Sequence, residues 1–112
     1  MPSTDSLFDF MLMEEPEVLR GASPRERALA FHAANPLVYQ ELRRLAFELL
    51  NAGHKRFGID LLFSQMRWRW LIRTTDESGF RLNNSYRATY ARLLANQEPE
   101  LRDVFSVRRV RD

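Results

Sequence analysis

Residues 23–53 read SPRERALAFHAANPLVYQELRRLAFELLNAG, and this stretch decides the fold. Ser23 can cap a helix, Pro24 suits the first turn, and Glu26 stands where it completes a capping box. The spacing predicts a helix that ends near Ala34. Asn35-Pro36 repeats the logic, with Asn35 as cap and Pro36 at the first helical position, and opens a second helix running to about Ala52. Within it Val38, Leu42, Leu45, Ala46 and Leu49 recur at steps of three and four, which marks one buried stripe. Gly53 follows as a left-handed terminator.

The same reading extends downstream. GHKRFG is a short basic loop, after which Ile59, Leu62, Phe63, Met66 and Trp70 share one helical face and Asp60, Ser64 and Arg67 the other. Arg67-Trp68-Arg69-Trp70 alternates with period two and also reads as a strand. A long helix reaching about Arg73 followed by a loop is favoured, with a short β-hairpin around 69–82 as the alternative. Asn83 or Asn84 caps a further helix whose apolar face is Tyr86, Tyr90, Leu93 and Leu94. Glu98-Pro99 starts a last short turn through Leu101, Val104 and Phe105. The expectation is a mainly α domain, a compact bundle of four to five helices with a helix-turn-helix-like outline. Residues 1–18 read as an acidic and apolar tail, 19–107 as the helical domain and 108–112 as a basic C-terminal end.

Composition narrows the function classes. The chain has 112 residues, enough for one domain, with 45% hydrophobic content for a core. It contains no cysteine, so it has neither disulfides nor thiolate metal sites. It shows no run of roughly 20 apolar residues to span a bilayer, and its start lacks the order of a secretory signal. These features lead to the expectation of a cytoplasmic protein. His32 and His54 have no nearby carboxylate or nucleophile in a recognisable pattern and fit no metal-ligand spacing. No phosphate-binding glycine loop or nucleophile elbow is present. The expectation is therefore a non-enzyme without metal or cofactor. His32 reads as a packing residue.

Charge is the more informative quantity. The net charge is +2, yet residues 1–18 hold Asp5, Asp9, Glu14, Glu15 and Glu17 and no base, so the remainder carries +7. Between residues 43 and 92 ten bases face four acids. All but Lys55 are arginine, whose planar fork matches phosphate and carboxylate. This excess points to an anionic partner. The candidate nucleic-acid-binding set is Lys55, Arg56, Arg67, Arg69, Arg73, Arg81, Asn83, Asn84 and Arg87. In it the cations meet phosphates, and Asn83, Asn84 and Arg87 offer groups suited to base edges. Trp68 can stack on an unpaired base. Double-stranded DNA is the favoured ligand. The alternative is an acidic partner protein, with Trp68, Phe8 and Phe10 as apolar anchors. The apolar tail can also pack on a second copy to form a homodimer, or fold over the basic surface.

Several segments also resemble a family. FHAANPLVYQELRRLAFELLNAG, GIDLLFSQMRW, FRLNNSYRATYARLL and EPELRDVF are similar to a recurring set of small proteins encoded by tailed phages, prophages and the bacteria that carry them. The resemblance spans roughly residues 31–108. It implies a protein made inside an infected or lysogenic cell, hence in the host cytoplasm. It transfers no catalytic or binding residues, and residues 1–25 fall outside it.

Overall fold

Ser23 opens the first helix with the reciprocal bonds of a capping box. Its Oγ accepts from the Glu26 backbone N–H at 3.1 Å, and its own N–H donates to the Glu26 carboxylate at 2.9 Å. The Ser23 backbone N–H, and after it the Ser23 side chain, hold the Glu26 carboxyl below its ordinary pKa. The computed structural model describes residues 13–18, 20–73 and 80–105. In it α1 is Pro24–Ala34, α2 Pro36–Asn51, α3 Ile59–Arg73 and α4 Arg87–Gln97, with single 3-10 turns at Asn84–Tyr86 and Pro99–Leu101 on either side of α4.

The fold is thus a small bundle of α-helices, and no strand occurs among the described residues. The hairpin alternative does not form as drawn. Residues 69–73 are the last turns of α3 and 80–82 are irregular; residues 74–79 lie outside the described residues. The basic end at 108–112 lies outside them too.

One residue, Asn35, separates α1 from α2. It occupies the N-cap position as expected, but its side chain makes no capping bond. The amide turns instead to the N-terminal segment: Oδ1 accepts from the Glu14 N–H at 2.6 Å, and Nδ2 donates to the Glu14 carbonyl at 2.9 Å and to the Phe31 carbonyl at 3.0 Å. A buried amide imitates a backbone partner here and satisfies chain groups that burial would otherwise penalise. Met13, the residue before the clamp, is buried in the core, and its Sδ accepts from the Arg81 N–H at 3.4 Å. The stretch read as a tail is therefore, over residues 13–18, an irregular strap on the domain.

The α2 stripe is buried at Val38, Leu42, Leu45 and Ala46, with Leu49 packed at its margin. It shares one buried core with Leu62, Phe63 and Met66 of α3, Phe31 of α1, and Tyr90 and Leu94 of α4. Phe63 meets Tyr90 edge-on at 6.0 Å and Phe31 meets Tyr86 at 5.2 Å. Each fully buried side chain of this size contributes about 1.5–3 kcal/mol. Gly53 ends α2 at φ 104°, a left-handed conformation that glycine adopts without a Cβ penalty. The loop to α3 is pinned where the Phe57 N–H donates to the Val104 carbonyl and the Phe57 ring meets Phe105 edge-on at 5.6 Å.

A polar staple joins α2 to α3. Glu41 is buried, and its Oε1 accepts from Arg44 of its own helix and from Arg69 of α3 at 3.2 Å. A second polar cluster surrounds His32, whose ring lies 5.2 Å from Tyr39 and 5.8 Å from Tyr90. His32 Nδ1 and both tyrosine hydroxyls are buried without a hydrogen-bond partner. Burial lowers the His32 pKa and raises those of Tyr39 and Tyr90, the latter well above the usual phenol range. His32 is half-buried among rings, the packing role expected of it.

Candidate functional site

The nine residues proposed from sequence do not form one surface. Lys55 and Arg56 are exposed on the loop before α3, while Arg67 and Arg73 lie about 12 and 21 Å further along that helix at 1.5 Å per residue. Arg69 points the other way, toward α2, where Glu41 holds it with its side chain only 15% exposed. Arg87 pairs at the surface with Asp60 at 3.3 Å, and its Nε donates to the Asn84 carbonyl at 3.0 Å. Two arginines outside the set are also engaged. Arg44 bridges Glu41 and Glu48, and Arg43 meets Glu98 at 3.0 Å.

Four of the nine do converge. Arg67, Arg81, Asn83 and Asn84 line one open depression together with Phe80, Leu82 and the carboxylate-bearing Glu15. Arg67 reaches it by lying over the Phe80 ring at 5.7 Å. Asn83 sets the geometry of the rim: its Oδ1 accepts from the Ser85 N–H at 2.8 Å and caps the 3-10 turn that leads into α4. The side chains here offer guanidinium and amide donors to an anion. The strap places Glu15 at the same spot, so the depression already contains one carboxylate.

The largest departure from an ordinary bundle surface lies on α3. Its core side carries Leu62, Phe63, Met66 and Trp70, the last half-buried with its ring 6.1 Å from Phe80. At 100° per residue, Leu61, Trp68 and Ile72 fall within about 40° of one another on the opposite side. They are 53%, 59% and 66% exposed, and Leu71 beside them is 42% exposed. A helix on the rim of a small domain ordinarily has one apolar stripe, whereas α3 has two, back to back. The outer stripe continues sideways into a groove lined by Leu45 and Leu49 of α2 and Leu61 and Gln65 of α3. A second hollow lies between Leu61, Ser64, Gln65 and Trp68. On the other flank stand Asp60 and Arg67, which connect the stripe to Arg87 and to the Asn83–Asn84 depression.

The sequence analysis singles out Trp68 but not Leu61, Leu71 and Ile72. The available signal was the spacing 61, 68, 72, directly across the helix from 63 and 70. One strong apolar face at 62, 63, 66 and 70 already accounts for a helix and hides the second stripe.

Among the described residues, no helix is long and apolar enough to cross a membrane, and no cluster of three or more His, Cys, Asp or Glu could hold a metal ion. The exposed outer face of α3 and the adjoining depression form the candidate site. Comparison with protein-family models, with curated proteins and with solved structures found no match.

Proposed function

We propose that this protein is a protein-binding module. Its ligand is an amphipathic segment of a partner protein, apolar along its centre and acidic at its edge. The outer stripe of Leu61, Trp68 and Ile72 carries the proposal, since contiguous exposed apolar surface on a small domain marks an interaction site. Trp68 is the kind of exposed, amphipathic ring that anchors interfaces. Arg67 and Arg81 on the flank supply cations for the partner's carboxylates and set its orientation. The mode is that of a helix or extended segment laid along a groove. Such a module suits a small product acting in the cytoplasm of an infected or lysogenic bacterial cell, the setting implied by the resemblance.

Capture from bacterial lysate tests this. A protein retained by the wild type after nuclease treatment and high salt, and lost with Trp68→Ala/Ile72→Ser, is the expected result. Both positions are exposed, so the variant should keep wild-type stability within about 0.5 kcal/mol. Identical retention by wild type and variant would refute the reading.

A second reading, binding of DNA, is favoured by the depression in which Arg67, Arg81, Asn83 and Asn84 meet. It predicts a complex in an electrophoretic shift at low salt, weakened by Arg67→Ala/Arg81→Ala. The salt slope should be small, near −0.9 for each phosphate neutralised. No complex with mixed duplex or single strands removes it. The outer face of α3 is less suited to a DNA groove, because its exposed N-terminal residues are Asp60, Leu61 and Ser64.

A further inference from the structure

The outer face of α3 is complementary to itself. Leu61, Ser64, Gln65 and Trp68 surround the hollow on that face. Their spacing (i, i+3, i+4 and i+7) is the four-residue hole into which a side chain of a facing helix inserts. Ser64 makes one wall short, so the hole admits a bulky knob. The largest exposed side chain of the face is Trp68, about 5 Å along the helix from the centre of the hole. A helix cannot fill its own hole, but a second α3 running antiparallel about a two-fold axis can. It seats Trp68 of each copy level with Ser64 and Gln65 of the other. The same register brings Leu61 of one copy level with Leu71 and Ile72 of the other, and the reverse by symmetry. All four exposed apolar residues of the face are then covered. A parallel pair would set Trp68 on Trp68 and leave the hollow to Ser64 and Gln65.

Charge and area agree with this arrangement. A two-fold of this kind brings like flanks together. On the α2 flank Glu48 stands beside Leu61 and Gln65, its side chain 62% exposed. At 100° per residue Arg73 falls on that same flank, with Leu62 and Arg69. The antiparallel pair therefore sets Glu48 of one copy against the end of α3 that carries Arg73 in the other. At their exposures Leu61, Trp68, Leu71 and Ile72 present on the order of 400 Å² per copy. With the groove walls of Leu49 and Gln65, two copies bury about 1,000–1,200 Å², the lower end of specific interfaces.

From these observations we infer that a second copy of this chain occupies the outer face of α3, in a weak antiparallel dimer with Trp68 of each copy in the other's hollow. This rests on the reading of that face as a docking surface and supplies its regulation. A partner segment must compete with a like copy, so accumulation of the protein closes the site and dilution opens it.

The test uses the full chain in sedimentation equilibrium. A monomer–dimer equilibrium with a Kd of about 10–100 µM is expected for an interface of this size, weakened at least tenfold by Trp68→Ala/Ile72→Ser. The chain has no cysteine, so single thiols report the register by oxidative cross-linking. In the antiparallel pair the two copies of residue 65 lie about 4 Å apart along the helix axes, and the two copies of residue 61 about 16 Å apart. Gln65→Cys should therefore form a disulfide-linked dimer readily and Leu61→Cys should not, since Cα atoms beyond about 7 Å are not bridged. A monomeric mass at about 500 µM overturns the inference. So does dimerisation unchanged in Trp68→Ala/Ile72→Ser, or cross-linking of Leu61→Cys as readily as Gln65→Cys. No partner protein enters this experiment, so its failure leaves the docking reading standing, and failure of lysate capture leaves the dimer intact.

Discussion

Replacing Asn35 by alanine should detach the N-terminal strap. The side chain makes three hydrogen bonds, at 2.6, 2.9 and 3.0 Å, two of them to the Glu14 backbone. At about 0.5–1.5 kcal/mol net for each, their loss amounts to about 1.5–4.5 kcal/mol. Released Glu14 would also loosen Met13, which is 8% exposed, so a destabilisation of about 3 kcal/mol is expected. For a domain of this size that lowers Tm by about 12–24 °C. Urea unfolding gives the free energy, and native-state exchange of the Glu14 amide gives the local opening. Asn35→Ser separates the two roles of the residue, because serine caps a helix well but cannot reach Glu14. The serine variant should be as unstable as the alanine variant. If serine restores wild-type stability, or if alanine changes it by less than about 0.5 kcal/mol with Glu14 exchange unaltered, then Asn35 is only a cap and the strap is held by something else.

Three further outcomes are expected. Tyr90→Phe removes a buried hydroxyl without a partner and should be neutral or stabilise by up to about 1 kcal/mol in urea unfolding; a loss larger than this would mean the hydroxyl is satisfied. Glu41→Ala breaks the staple to Arg44 and Arg69 and should destabilise by about 3 kcal/mol, with α3 amides exchanging faster than those of α1; wild-type stability would show that the two arginines do not depend on it. His32 has its folded pKa lowered by burial, so the unfolded chain binds the proton more readily. Its contribution to stability is complete above the unfolded pKa of about 6.5, declines as pH falls below it, and levels off beneath the folded pKa. His32→Gln should flatten that part of a urea-midpoint profile, and an unchanged profile would assign the dependence elsewhere.

How much of this was legible in the chain depends on the distance over which each interaction acts. Ser23-Pro24-Arg25-Glu26 and Asn35-Pro36 mark helix starts through bonds within four residues, and α1 and α2 begin where those signals stand. The α2 stripe follows from spacing alone. Asn35 shows the limit: its position as N-cap is local, but two of its three amide hydrogen bonds run to Glu14, 21 residues away, and no pattern in NPLVY announces them. Glu41 is similar. In QELRR it looks like a solvated acid, yet Arg69 from α3 closes over it. The site is where reading from sequence did least well. Summing charge between 43 and 92 counted bases without their partners. Glu41 and Asp60 then engage Arg69 and Arg87, leaving Arg67 and Arg81 to share a depression with Asn83 and Asn84.

The doubly apolar character of α3 also bears on the life of the molecule in a cell. Chaperones and proteases recognise apolar side chains that ought to be covered, and free copies displaying Leu61, Trp68 and Ile72 invite that triage. Copies complexed in the way proposed would escape it. The steady-state amount of this protein should therefore rise and fall with the abundance of whatever covers the helix, linking supply to demand without any dedicated sensor.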